Sequence, residues 1–303
     1  MALKQRQLPW LSSPYLINGL ILGLLMILYA PIIGHWYDGW LNKSISIEHE
    51  YFSHGLIGLP FAAYIIWTKR KKWKRLENKA HPLGGILLLL GSAFYLTGMG
   101  ELVNLSFPIV LAGICLWIKG IPGLKLQWFP LLMVLLATPN SLPYLISPYT
   151  LPLQKFIAGV AGFILIQLNL NVRVQEIYLF VNDRLVEVAP YCAGLKMLFT
   201  SLYVGLMVLY WTDALRSLKK TVFLLTGAAA ISVIGNIIRN TMLSYFHGTG
   251  NDGAFKWLHD SWGGDVYSAL SLVLIVLLMN WINEHYSEID SEPDADLLKN
   301  ETH

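Results

Sequence analysis

Lys69-Arg-Lys-Lys-Trp-Lys-Arg75 stands between two apolar runs, 52–67 and 83–99, and its reading decides the fold. Six cations in seven residues do not enter hydrocarbon, whereas each flanking run approaches the length that crosses about 30 Å of it. The cluster is therefore a loop between spans, and its Lys and Arg excess places it on the cytoplasmic side. A solvated basic loop accounts for it in full, and no catalytic role attaches to it. From that loop the chain divides into spans at 15–33, 52–67, 83–99, 102–118, 126–138, 193–210, 221–246 and 265–282. Lys4 and Arg6, Lys119 and Lys125, and Arg216, Lys219 and Lys220 are expected on the same side. Hydrophobic residues make up 55% of the 303, charged residues 14%, and the mean hydropathy is +0.51. That profile belongs to a polytopic membrane protein.

The formal net charge of +3 does not point to nucleic acid, because the basic residues lie where membrane topology puts them. Two cysteines, Cys115 in mid-span and Cys192, give no disulfide framework. The first apolar run is long, lacks a small-residue cleavage site and follows Lys4 and Arg6, so it reads as a retained span. One segment tests the scheme. If 151–170 crossed the membrane, everything after it would invert. Pro139, Pro143, Pro148 and Pro152 are helix breakers, and Gln154, Lys155, Gln167 and Asn169 are polar. The segment is therefore expected to lie along the outer interface or to re-enter. The expected fold is an all-α polytopic protein of about eight transmembrane helices, with both termini cytoplasmic. Residues 1–283 form one membrane domain, and 284–303 form an acidic, disordered cytoplasmic tail. Within 172–188, apolar and polar residues alternate on either side of Asn182-Asp-Arg184, which predicts a short β-hairpin on the outer side.

That hairpin leads into Ala189-Pro-Tyr-Cys-Ala-Gly-Leu-Lys196. Proline suits a first helical turn, so Cys192 falls in or near one, facing unpaired amides, with Lys196 a turn further on. Both effects favour the nucleophilic thiolate. The competing reading is a small buried hydrophobe. Arg239 lies about two turns inside the outer end of its span. An intramembrane arginine costs at least about 2.5–3.5 kcal/mol and is functional by default; the alternatives are a snorkelling surface charge or a partner for an acid such as Glu101. Asn236, three residues back on the same face, is suited to hold the guanidinium or a substrate carbonyl. His259 is expected on an outer loop, where an imidazole moves protons near neutral pH. His54 reaches the same side after Glu48, His49 and Glu50, but without HExxH or CxxC spacing no metal and no cofactor is expected. Cys192, Arg239 and His259 together suit acyl transfer.

Taken in order, these residues resemble the exosortase/archaeosortase family. Tyr51-Phe-Ser-His-Gly55 is similar to its Tyr-Ser-His-Gly motif, and Leu151-Pro-Leu-Gln154 to its approach to the nucleophile. Cys192-Ala-Gly-Leu-Lys196 resembles Cys-Ser/Ala-Gly-Ile/Leu-Arg, Asn236-Ile-Ile-Arg239 resembles Asn-x-x-Arg, and His259-Asp-Ser-Trp-Gly263 resembles His-x-x-x-Gly. Archaeosortases tend to carry arginine where this chain has His259, which favours the exosortase branch. Lys196, where arginine is commoner, resembles the cyanobacterial type; the exchange matters if the family arginine makes a bidentate contact. The resemblance implies a thiol protease and transpeptidase of the plasma (inner) membrane with Cys192, Arg239 and His259 catalytic, and with Lys196, Asn236 and His54 supporting or binding substrate. Its implied partners are membrane-anchored proteins with a C-terminal Pro-Glu-Pro-like motif, one transmembrane helix and a basic tail, plus an amine acceptor such as a lipid. A transporter or lipid-carrier-binding protein using Arg239 to hold an anionic group is the alternative. A structural envelope subunit is the third class.

Overall fold

Gly120 turns one long apolar element into two helical pieces. It takes φ 59° and ψ −156° inside Gly100–Ala137, a conformation that glycine adopts freely and other residues do not. A Cβ there would also lie 2.7 Å from the Lys79 carbonyl oxygen. The computed structural model describes residues 14–41, 51–188 and 194–286. Their helices are α1 (Pro14–Leu41), α2 (Gly55–Thr68), α3 (Arg70–Arg75), α4 (Pro82–Leu96), α5 (Gly100–Ala137), α6 (Leu142–Ile146) and α7 (Leu151–Gln167). Three strands follow, β1 (Val172–Gln175), β2 (Tyr178–Val181) and β3 (Arg184–Glu187). The chain then forms α8 (Leu195–Trp211), α9 (Leu218–Gly248), α10 (Asp252–Asp260) and α11 (Trp262–Tyr286).

Each of the eight expected spans falls on one of these helices, two of them on either side of Gly120 in α5. Among the described residues, Gly19–Leu41, Gly100–Ala137, Leu142–Gln167, Leu218–Gly248 and Trp262–Tyr286 are long and apolar enough to cross a membrane; α2, α4 and α8 are shorter apolar helices. The protein is an all-α polytopic membrane protein with a small sheet. The stretch expected to be broken by prolines is helical instead. Pro143, Pro148 and Pro152 occupy the first turns of α6, of the 3₁₀ turn Ser147–Thr150 and of α7, positions where the missing N–H removes no helical bond.

The chain divides into two compact units, Met1–Asn140 and Ser141–His303. In the first, α4 lies against α5 through Gly84, Gly91 and Gly113. A Cβ on Gly84 would reach the Trp117 backbone nitrogen at 2.6 Å, the close approach that small residues allow in membranes. From α1, the buried Tyr29 hydroxyl meets Ser106 Oγ at 2.9 Å, and buried Trp36 donates to Asn104 Oδ1 at 2.8 Å. Lys69 Nζ donates to the Leu126 carbonyl at 2.8 Å and Lys119 Nζ to the Leu76 carbonyl. The 69–75 cluster and the Lys119 and Lys125 cations therefore share one end of this unit, as the charge pattern requires.

In the second unit the strands form an antiparallel sheet in the order β1-β2-β3, pairing Val172 with Val181 and Leu179 with Val186. The expected hairpin is β2–β3. Its turn residues Asn182 and Asp183 take φ 50° and 64°, as a type I′ turn requires. A further strand, β1, joins through Glu176 and Ile177, a turn without the Gly or Asn that would have marked it. The sheet buries Leu179, Val181 and Val188 against Ile157, Ala158, Ala161 and Leu165 of α7, with Ile237 of α9 at the margin. A second core joins α8, α9 and α11 through Leu209, Leu224, Ala228, Ile275 and Met279.

Candidate active site

Cys192 lies outside the described residues, and the site is built from what immediately follows it. Gly194 takes φ 82° just before α8. Its second constraint is contact: a Cβ there would lie 2.7 Å from Asn236 Cγ and 2.8 Å from Nδ2. The glycine of Cys192-Ala-Gly-Leu-Lys196 thus lets the backbone beside the cysteine rest on the amide of Asn236. Helix α8 begins at Leu195; the helical turn expected at Cys192 lies outside the described residues. Lys196 sits half-buried in the first turn of α8.

Asn236 is 1% exposed. Its Oδ1 accepts from Asn240 Nδ2 at 3.1 Å, and Asn240 Nδ2 also reaches the Asn236 carbonyl at 2.9 Å. With the oxygen occupied, the buried Asn236 Nδ2 has no acceptor among the described residues. A buried donor left unmatched costs about 1–3 kcal/mol, and this one lies beside Gly194.

Arg239 is one turn further along α9 and half-buried. Its Nη2 lies 3.9 Å from where a Cβ on Gly264 would stand, and that same position is 3.0 Å from the Leu258 carbonyl oxygen. Gly264 thus lets α11 close on the Leu258 carbonyl at its junction with α10, and the Arg239 guanidinium reaches the same junction. Gly263 allows a close approach to α10 as well, since a Cβ would meet the Trp257 carbonyl oxygen at 2.7 Å. Beside Arg239, the Tyr267 hydroxyl donates to the Gly235 carbonyl at 2.6 Å. Among the described residues of this unit, no acidic side chain is ion-paired with Arg239.

His259 was expected on a loop and lies instead in the last turn of α10. Asn251 caps that helix, accepting from Ala254 N–H at 3.2 Å, while Gly250 and Gly253 masked it in the sequence. The imidazole stacks on Phe255, with centroids 5.2 Å apart and planes 9° apart. Phe255 in turn meets the ring of His247 at 5.3 Å. The sequence reading missed Tyr267, Phe255 and Asn240. Asn236, Asn240 and Ser244 recur every four residues on α9, and that polar stripe was the available signal.

Past Arg239, α9 continues nine residues to Gly248, a further rise of about 13 Å. The sheet and α10 are fastened there. Asn182 Nδ2 donates to the Gly248 carbonyl at 3.1 Å, and Arg184 Nη1 to the His247 carbonyl at 3.1 Å and Asp252 Oδ1 at 3.2 Å. The polar cluster of Asn236 and Arg239 is thus set back from the end of the helix that carries it.

His54 belongs to the first unit, where it precedes α2, is buried, and its Nε2 meets the Leu136 carbonyl oxygen at 3.0 Å. Glu48, His49 and Glu50 lie outside the described residues, as do Lys4, Arg6 and 287–303. Among the described residues, no three His, Cys, Asp or Glu side chains cluster closely enough to hold a metal ion.

Residues 40–277 match the family model described as transmembrane exosortase (Exosortase_EpsH). Comparison with curated proteins and with solved structures gives no match. The matched stretch contains Cys192, Arg239 and His259, together with Lys196, Asn236 and His54.

Proposed function

We propose a reaction for this chain from its family: it belongs to the transmembrane exosortases. It is a membrane-embedded cysteine protease and transpeptidase that removes C-terminal sorting signals from exported, membrane-anchored proteins. The Cys192 thiolate attacks the scissile carbonyl carbon, and the carbonyl electrons move to oxygen. Arg239 and the unmatched Asn236 amide stabilise that oxyanion. The C–N bond then breaks, the leaving nitrogen takes a proton from the His259 imidazolium, and a Cys192 thioester remains. Neutral His259 next accepts a proton from an amine or water as it attacks the thioester, and the thiolate leaves. Phe255 holds the imidazole plane, and Tyr267 steadies the turn of α9 that carries Arg239.

One observation carries this reading. Gly194 on Asn236, and Gly264 between Arg239 and the end of α10, bring the segments bearing the cysteine, the arginine and the histidine into one unit. Lys196 adds positive charge in the first turn of α8, and His54 serves as a supporting residue. The substrate signal is a Pro-Glu-Pro-like motif followed by one transmembrane helix and a basic tail, which sets the motif level with Cys192 at the outer face of the plasma membrane. The acceptor is an amine such as a lipid head group. Lys196 in place of the commoner arginine aligns the chain with the cyanobacterial type.

The test is co-expression of a tagged client carrying such a signal with the native protein or with Cys192→Ala, reading the intact mass of the client's C terminus. Shortening by the native protein alone is expected, and any added mass identifies the acceptor. Equal cleavage by both proteins would remove Cys192 from the reaction.

A further inference from the structure

The site leaves the 69–75 cluster unused, yet this segment is not a loose loop. Helix α3 is fastened to the first unit at three points. Lys69 Nζ donates to the Leu126 carbonyl, the Trp73 ring lies against Gly123, and Lys119 Nζ donates to the carbonyl of Leu76, just past the helix. Arg70 is held as well, its guanidinium 4.0 Å above the Trp67 ring and its Nη1 donating to the Trp67 carbonyl at 2.8 Å. These contacts leave Lys71, Lys72, Lys74 and Arg75 exposed, and no acidic side chain among the described residues is ion-paired with them.

Helical geometry then sets their direction. With Trp73 turned toward α5, Lys71 and Arg75 project to the opposite face, and Lys72 and Lys74 lie between, about 100° from Trp73 on either side. Like charges four residues apart disfavour a helix, so this one is built around a counter-charge that the described residues do not supply. The cluster directly follows an apolar helix whose last turn carries exposed Trp67, an aromatic residue typical of the headgroup layer.

We infer that α3 is a preformed binding shelf for the phosphate groups of anionic phospholipids, in the leaflet at that end of α2. The full-length protein would be reconstituted into vesicles of phosphatidylcholine mixed with phosphatidylglycerol, re-extracted, and its retained lipids weighed by mass spectrometry. Phosphatidylglycerol should be enriched over the vesicle composition, and the Lys71→Gln, Lys72→Gln, Lys74→Gln, Arg75→Gln variant should lose at least about tenfold of that enrichment. A variant with Lys71→Arg, Lys72→Arg and Lys74→Arg should keep it, which separates lost charge from lost folding. Equal enrichment in native and glutamine proteins, or none in the native protein, would overturn the inference. Displacement of the lipid by inorganic phosphate at matched ionic strength would overturn the lipid as the source of the phosphate.

Discussion

Asn104 and Asn236 both sit inside helices of this protein and end differently. Asn104 in the first unit is closed at both ends, its oxygen taking the Trp36 N–H at 2.8 Å and its amide reaching the Pro139 carbonyl at 3.2 Å. Asn236 in the second unit is closed at its oxygen by Asn240 and open at its amide, which rests against Gly194. A polar group matched on both sides holds neighbouring elements in register. One with a buried open donor holds a place for something else. Asn104 thus staples its neighbours in the first unit, whereas Asn236 keeps an open donor beside the segment that leads from Cys192.

The sharpest way to break this contrast is Arg239→Gln, which should slow client cleavage about 10²–10³-fold while the protein still inserts; near-native cleavage would return Arg239 to a structural role. Gly194→Ala should come next. The left-handed backbone costs about 1–2 kcal/mol for alanine, and the displaced segment should lower cleavage about 100-fold, as small misplacements of reacting groups do. The two asparagines should then separate. Asn236→Ala should slow cleavage about 10–100-fold with little change in the thermal midpoint, whereas Asn104→Ala should lose about 1–3 kcal/mol of stability and keep its cleavage rate. Identical behaviour of the pair in a melting scan and a client assay would erase the distinction. The smallest effect belongs to Phe255→Leu, a fall of about 2–10-fold in kcat with KM unchanged, restored by Phe255→Tyr.

The spans were legible because apolar length and flanking lysines are one-dimensional signals. The grouping of Lys69 with Lys119 and Lys125 followed from the same signals. Proline positions were not legible in this way. Pro143, Pro148 and Pro152 read as breakers in sequence but start successive helical turns, and only the register of the backbone distinguishes the two roles. Strand β1 escaped because its turn runs through Glu176 at φ 59° without a glycine. The proposed site residues were chosen for their chemistry, and the reason for the glycines beside them was not legible. Gly194 is required by a side chain from a distant helix and Gly264 by the Leu258 carbonyl of the helix before it, information that spacing along the chain does not hold.

Helix α9 also acts as a phase coupler. Arg239 and the anchor points at His247 and Gly248 ride on one continuous screw of 100° per residue, so the bearing of the sheet's anchors on α9 relative to the guanidinium is set by residue count. A single residue inserted between Asn240 and His247 would swing the sheet a quarter turn and lift it about 1.5 Å without altering one side chain of the site. Four inserted residues would nearly restore the bearing but raise the sheet about 6 Å. Rotation and height thus become separately adjustable along this stretch.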